Sequence, residues 1–291
     1  MTTTSSLADS LPVVIDSARI HGEYMGVMSR TCETHKLPSG SGLNWDEVTL
    51  ARLSAQAITE TTELDNPQLF SDTLLSITPG QVGIQTRVTD KVKSRITPIV
   101  AAKMGQLAAN AMGRKKEQDY IAMLDGATTS LSGAGTTLVA GVIGAAKSRI
   151  SSNTTEIANS PIYGVLHGFQ IKDLQDELTS GIGTYAIPAG MTEQTYREGF
   201  AGSVYGVQLY ECGNISIDSS DDAKGGVHAK MAVLYVQGSS MRSATVRKEH
   251  IGGGAEDMFI YDDYAFGERL AGGTSASWLY EVYSDATAPT T

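Results

Sequence analysis

The stretch from Thr97 to Gly126, TPIVAAKMGQLAANAMGRKKEQDYIAMLDG, decides how the rest of the chain is read. Thr97 stands where a helix N-cap belongs. Pro98 suits the first helical position, because the N–H it lacks would have had no intrahelical partner. Val100, Met104, Leu107, Ala108 and Ala111 recur at helical spacing, and Ile121 and Leu124 resume it. Gly126 is a natural stop. A helix over 98–124 makes a rod of roughly 40 Å at 1.5 Å per residue. Its apolar face is narrow and rich in small residues, and Arg114, Lys115, Lys116, Glu117 and Asp119 take the opposite side. That pattern predicts a helix packed on one side only, lying across a sheet. Gly113 weakens its middle by about 1 kcal/mol relative to Ala.

Upstream, from Trp45, the pattern shifts to period two: Val48, Leu50, Leu53, Ala55 and Ala57 alternate imperfectly with polar residues. An acidic turn region, TETTELDNPQ, separates this limb from LFSDTLLSITPGQVGIQTRVTDKV. There Pro79-Gly80 fits the centre of a type II turn, and Val82, Ile84, Val88 and Val92 mark a returning strand. Residues 46 to about 93 therefore read as a long, exposed β-hairpin with little bulky apolar mass. Such a hairpin is marginal alone in water and has to rest on something, its own domain or another copy. Before it, residues 1–45 are rich in Thr, Ser and Gly, with an apolar island at Leu11 to Ile15, and read as an arm.

Downstream, LVAGVIGAAKSRI is a second amphipathic helix, IYGVL a buried strand, and FQIKDLQDEL a third helix with Phe169, Ile171, Leu174 and Leu178 inside. GSVYGVQLYEC and KMAVLYVQGSSM read as core strands, SATVRKEHI begins another strand region, SWLYEVYS is a last strand, and SDATAPTT is a free tail. Helices and strands mix without strict alternation, which predicts an α+β fold.

The 291 residues suffice for one large or two modest domains, and 41 % apolar residues suffice for a sizeable core. The formal net charge of −10 argues against sequence-independent gripping of nucleic acid, which calls for a basic surface. Two cysteines far apart, Cys32 and Cys212, give no CxxC and no disulfide framework; they read as reduced thiols. The N-terminal segment lacks a basic region and a long apolar core, so no secretory signal is expected, and LVAGVIGAA falls far short of the ~20 residues a membrane span needs. These features together suggest a cytoplasmic protein.

No constellation assembles an active site. GVIGAAKS (Gly141 to Ser148) has Ala146 where a phosphate loop needs its second Gly, and it sits inside a helical pattern. Among His21, His35, His167, His228 and His250 no pair has metal-ligand spacing. Pro38-Ser39-Gly40-Ser41-Gly42 has no apolar strand before it, as a nucleophile elbow would. Asp221-Asp222 and Asp262-Asp263 read as solvated turns, and the GRKK run at Gly113 to Lys116 as a helix surface or intersubunit contact. His167 ends an apolar run just before a helix start, a position that suits catalysis or a helix cap.

The order arm, long hairpin, rod-like helix, mixed domain and returning strands resembles the major capsid proteins of tailed bacteriophages, the Hong Kong 97-type fold shared by encapsulin compartments. TETTELDNPQLFSDTLLSITPGQVGIQTRVTDKV is similar to that family's extended loop, or E-loop. LAANAMGRKKEQDYIAMLDGA is similar to its spine helix, and YGVLHGFQIKDLQDEL to its strand-to-helix step, with Gly168 where many members have proline. GFAGSVYGVQLYECGNI resembles the strand region that follows.

The resemblance implies an N-terminal arm (1–45), an E-loop (46–94) and a peripheral domain (95–135 and 239–283) holding the spine helix. It further implies an axial domain (136–238) and a short tail (284–291). It implies copies assembled as pentamers and hexamers into an icosahedral shell around double-stranded DNA, in the virion after assembly in host cytoplasm. Portal and separate scaffolding or decoration proteins are its implied partners, with no cofactor, metal, membrane or catalysis. Candidate intersubunit contacts are Asp65, Arg87, Lys91, Arg114, Lys115 and Glu117. Lys91 and Lys93 lie at the base of the hairpin, so covalent cross-linking is not expected. The competing readings are an encapsulin-like shell, a soluble α+β enzyme using His167, and a phage tail or decoration protein, against which the long helix argues.

Overall fold

A computed structural model describes residues 26–38, 40, 42–61, 67–94, 98–180, 202–273 and 277–290. The apolar island at 11–15, the Thr97 cap and Asp65 lie outside them, as does the Leu178 side chain.

A short helix α1 (Met28–Thr31) leads into β1 (Glu33–Lys36). Strands β2 (Trp45–Leu50) and β3 (Asp72–Ile77) follow, then β4 (Gly80–Thr89) and the one-turn helix α2 (Asp90–Lys93). The long helix α3 spans Pro98–Asp125. After it come β5 (Ser130–Ser132), α4 (Ala140–Ser151), β6 (Ile162–Leu166) and α5 (Gly168–Ser180). The rest is strand: β7 (Ser203–Val204), β8 (Val207–Glu211), β9 (Asp222–Ala229), β10 (Val233–Lys248), β11 (Ala255–Glu268) and β12 (Leu279–Asp285). They form a sheet β1-β10-β11-β4, a sheet β5-β12-β9-β6-β8-β7, and the separate pair β2-β3. The α+β architecture read from the sequence is the one observed.

Helix α3 crosses both large sheets. Ala108 and Met112 pack on Ile260, Val82 and Ile84 of the four-stranded sheet. Two and three turns further, Tyr120, Ile121 and Leu124 enter the main core with Val165, Val227, Leu279 and Val282 of the six-stranded sheet. Strand β9 sits tight beneath it. A Cβ on Gly225 would lie 2.4 Å from the Val165 carbonyl oxygen, and one on Gly226 would lie 3.2 Å from Leu124 Cβ. Backbone cannot retreat as a side chain can, so Gly225 is required here.

Several local expectations are corrected. The inward face of α3 is rotated from the expected one: Leu107 is exposed, while Glu117 is buried and Lys116 faces the four-stranded sheet. Charge on an inner face is tolerated here because each group meets a partner. Pro79-Gly80 is no type II turn: Gly80 is already in β4, opposite Tyr264, and its φ is not positive. Strand β3 pairs back with β2, whereas β4 pairs with β11, so Pro79 joins two sheets. GSVYGVQLYEC is split by a tight turn in which Tyr205 (φ 51°) and Gly206 (φ 81°) both take positive φ, as a two-residue hairpin demands. Strand β10 runs unbroken through SATVRKEHI as far as Lys248. Asp222 and Asp262 are not in solvated turns; both are buried in strands. The last strand, grouped with 239–283 in the sequence reading, pairs with β9 and β5 of the six-stranded sheet.

Candidate functional site

The His167 question is settled by its hydrogen bonds. The Phe169 N–H donates to His167 Nδ1 at 3.2 Å, and the His167 N–H donates to Gln170 Oε1 at 3.0 Å. This is a reciprocal capping box with histidine as the N-cap and Gln at N3, and the Ile171 N–H closes the turn on the His167 carbonyl. Gln170 is itself buried and donates to the Ala223 carbonyl and Ser284 Oγ. Burial lowers the pKa of His167. The ring nitrogen that a general base would use is spent on the helix.

Of the other described histidines, His250 is exposed in the turn after β10, and the remaining two are held by contacts. His35 stacks on Trp45, with ring centroids 4.7 Å apart, and contacts Glu33 at 3.0 Å. His228 is wholly buried; Tyr120 Oη lies 2.7 Å from its Nε2, and its Nδ1 lies 3.0 Å from the Ala229 carbonyl. Among the described residues no group of His, Cys, Asp or Glu is arranged to hold a metal. The GVIGAAKS segment lies entirely within continuous α4. A surface cleft of about 510 Å³ lies between α3 and the segment 214–224, and its charged groups are engaged with one another. Lys224 pairs with Asp125 at 2.7 Å, and Asp218 accepts from the Ser220 and Asp222 N–H groups and from Tyr283 Oη.

Among the described residues, the β2-β3 hairpin presents a surface that is not self-satisfied. Its base is fixed to the body. Ile77 is buried with Leu234 and Val236. Arg269 reaches Glu47 at 2.8 Å, Glu33 at 2.8 Å and the Met231 carbonyl at 2.8 Å. The register pairs Val48 with Leu74 and Leu50 with Asp72, which sets Val48, Leu50 and Leu74 on the one face turned away from the body. Val48 is 55 % exposed and Leu74 61 %; beyond them Leu69 and Phe70 are 87 % and 75 % exposed. A sheet needs one face packed, and this one turns apolar side chains to solvent on its outer face.

The other candidate contact residues sit in different settings. Arg87 forms two hydrogen bonds to Asp257, one of 2.7 Å from Nη2, and holds that carboxyl below the usual range. Lys91 is exposed on α2. Arg114 is exposed on α3, and Lys115 pairs with Asp119 one turn on, at 2.5 Å. Glu117 is interior: both carboxylate oxygens accept from the Met28 N–H at 3.3 Å, and burial raises its pKa. It therefore ties α1 to the spine helix.

Two inward groups escaped the sequence reading. Lys116 lies 2.5 Å from buried Asp262, with Tyr235 and Tyr264 ring centroids 5.6 and 5.3 Å away. The apolar outer face of the hairpin was half visible in the alternation of Val48 and Leu50, but adding Leu74 requires the strand register.

No family model and no curated protein sequence matches the chain. Solved structures do. The capsid structure of the cyanophage P-SCSP1u is similar with a TM-score of 0.71 and 14 % identity over 98 % of this chain and 96 % of that one. The head structure of Helicobacter pylori bacteriophage KHP40 gives 0.69 and 13 % over 93 % and 94 %. A structure from Microbacterium phage Oxtober96 gives 0.67 and 15 % over 97 % and 99 %. At such identities the likeness shows the fold, and it is that of the phage capsid proteins, the Hong Kong 97 type.

Proposed function

We propose that this chain is the structural subunit of a tailed-bacteriophage head, assembling as pentamers and hexamers into an icosahedral shell around double-stranded DNA. The observation that carries the reading is the extent of the likeness: phage head and capsid chains match over nearly their whole length and nearly the whole of this one. The hairpin supports it, because its apolar outer face is left for a partner to cover.

In this reading 1–45 is the arm, 46–94 the E-loop, 95–135 with 239–283 the peripheral domain apart from β12, 136–238 together with β12 the axial domain, and the residues after β12 the tail. The subunit works by contact and carries out no catalysis. The exposed candidates Lys91, Arg114 and Lys115, with Asp65, meet neighbouring copies, whereas Arg87 and Glu117 hold the subunit's own elements. Portal and separate scaffolding or decoration proteins complete the head, which assembles in the host cytoplasm. Electron microscopy of the purified protein tests the proposal: closed polyhedral shells or capsomer-sized rings are expected, and a monomer under all assembly conditions overturns it.

A further inference from the structure

Arg269, which holds the base of the hairpin, is shared between two acids from separate elements. Its Nε and Nη2 donate to Glu47 Oε2, on β2, at 3.1 and 2.8 Å. Its Nη1 donates to Glu33 Oε2, on β1, at 2.8 Å, and to the Met231 carbonyl at 2.8 Å. The Arg269 backbone N–H donates to the Ala232 carbonyl at 2.8 Å, so the base belongs to the body and not to either acid's strand. One guanidinium thus faces two carboxylates. Of the neighbouring titratable groups, His35 lies 3.0 Å from Glu33, and Glu268 accepts from Ser277 Oγ.

The seating of the hairpin makes this grip matter. At its root Ile77 packs directly on β11: a Cβ on Gly267 would lie 2.2 Å from Ile77 Cδ1. Beyond the root a cavity of about 60 Å³ opens between hairpin and body, lined by Thr49, Thr73, Leu75, Glu268, Arg269 and Gly273. Well-packed interiors leave few voids larger than a water molecule. Farther out, Arg52 Nη1 reaches the Thr154 carbonyl at 3.0 Å at an exposed position. The hairpin is packed at one end and held by charge beside a void. Its tilt therefore depends on how firmly Arg269 grips Glu47.

Two carboxylates on one guanidinium repel each other, so each weakens the other's hold. We propose that Glu33 and Glu47 compete for Arg269, so that the seating of β1 sets the grip on the hairpin. Displacing β1 leaves the guanidinium to Glu47 and tightens the hairpin. Lifting the hairpin tightens β1 in turn, because a coupling free energy acts equally in both directions. Arg269 is a positioning residue that acts on the hairpin through Glu47. The inference goes beyond the shell-subunit reading and does not depend on it. Within that reading it couples the end of the arm to the E-loop of the same subunit.

Thiol labelling of the unassembled subunit tests it. Thr49 lines the cavity, so a T49C thiol reacts faster with a maleimide the more often the hairpin lifts. Cys32 and Cys212 are buried, and the chain without T49C is the control. Glu33→Gln keeps an acceptor for Nη1 and removes only the charge. In E33Q the T49C rate is expected to fall severalfold, whereas in E47Q and R269M it is expected to rise. The E33Q effect should fade in about 1 M salt, where screening acts over about 3 Å. It should also vanish in the E47Q background, where Glu33 has no charged rival. An ordinary structural cluster behaves differently: it loosens when any member is lost. An E33Q rate equal to or above the parent's overturns the inference, as does an E33Q effect that persists unchanged in E47Q. If R269M does not fold, the near-isosteric E33Q and E47Q decide alone, with circular dichroism confirming their fold. Because no shell is needed, failure here leaves the shell reading standing, and failure to form shells leaves this coupling standing.

Discussion

Val282 and Val48 are the same residue in the same kind of local structure, a β-strand, yet one is fully buried and the other more than half exposed. Val282 belongs to a sheet flanked by other strands and crossed by α3 and α4, so its side chain shares one core with Val227 and Ile143. Val48 belongs to a two-stranded ribbon whose inner face is held by Ile77 and Arg269 and whose outer face, among the described residues, is left largely exposed. The body thus gains its stability from itself, and the hairpin keeps apolar surface in reserve. Substitutions in the body should cost folding, and substitutions on the hairpin should cost only what another copy supplies.

The sharpest break is expected at Lys116 and Asp262. Asp262 is buried on the strand that α3 crosses, and Lys116 loses its counter-charge if that carboxylate goes. Breaking a buried pair by removing one partner typically costs about 3–5 kcal/mol, whereas replacing both by apolar groups is often neutral. Asp262→Ala should lower the urea midpoint by a corresponding amount, and Lys116→Met with Asp262→Leu should recover most of it. A single variant as stable as the parent would show that α3 is held by its apolar contacts alone.

The next effect is one of pH. Burial lowers the pKa of His228 to about 4, from an ordinary value near 6.5. The unfolded chain then binds the proton more readily than the folded one between those two values, so stability rises with pH across that window. It is fully present above about pH 6.5 and falls as the pH drops toward 4, by up to about 3 kcal/mol. Melting curves at pH 7 and pH 4.5 for the parent and for His228→Gln should show the pH slope reduced in the variant. An unchanged slope assigns the acid sensitivity elsewhere.

How much of this was legible in the chain follows the range of the interactions. Helix α3 was legible because Pro98, the apolar period and Gly126 are local signals, and the capping of α5 by His167 and Gln170 was legible for the same reason. Strand β9 was missed: DAKGGVHA has two adjacent glycines, a lysine and a histidine, and it is a strand only because α3 and β6 press on it from close range. In β11, Asp262 and Asp263 resembled a turn because the lysine that neutralises one of them is on a distant helix. The Pro79-Gly80 error has the same origin: turn chemistry was present, but the partner of β4 is β11, far along the chain. The hairpin's apolar residues were visible one by one, and their shared outward face was not, because register is a property of two strands.

A smaller effect is expected at the cap. His167→Ala removes the acceptor for the Phe169 N–H and leaves the Gln170 contact to the His167 N–H in place. N-cap losses of this kind cost about 1 kcal/mol. The melting temperature should fall by a few degrees, with assembly unchanged at temperatures well below it. A fully stable variant that had lost a chemical activity would revive the enzyme reading.

The smallest effect on folding, and the one that bears most directly on the contrast between the two regions, is expected on the hairpin. Val48, Leu50 and Leu74 are already in water in the isolated subunit, so replacing all three with serine removes little buried area; exposed positions usually change stability by no more than about 0.5 kcal/mol each. Serine also keeps the strands' backbone pairing. The triple variant should therefore melt within a few degrees of the parent and elute as the same subunit before assembly. If the outer face is covered by another copy, assembly pays the lost apolar burial at every subunit, at about 25 cal/mol for each Å² that the neighbour had removed from water. Repeated around a closed shell, that loss should raise the protein concentration needed for shells severalfold, with the subunit still folded. A variant that unfolds would place the outer face within the subunit's own core, and one that assembles like the parent would move the intersubunit contact away from this face.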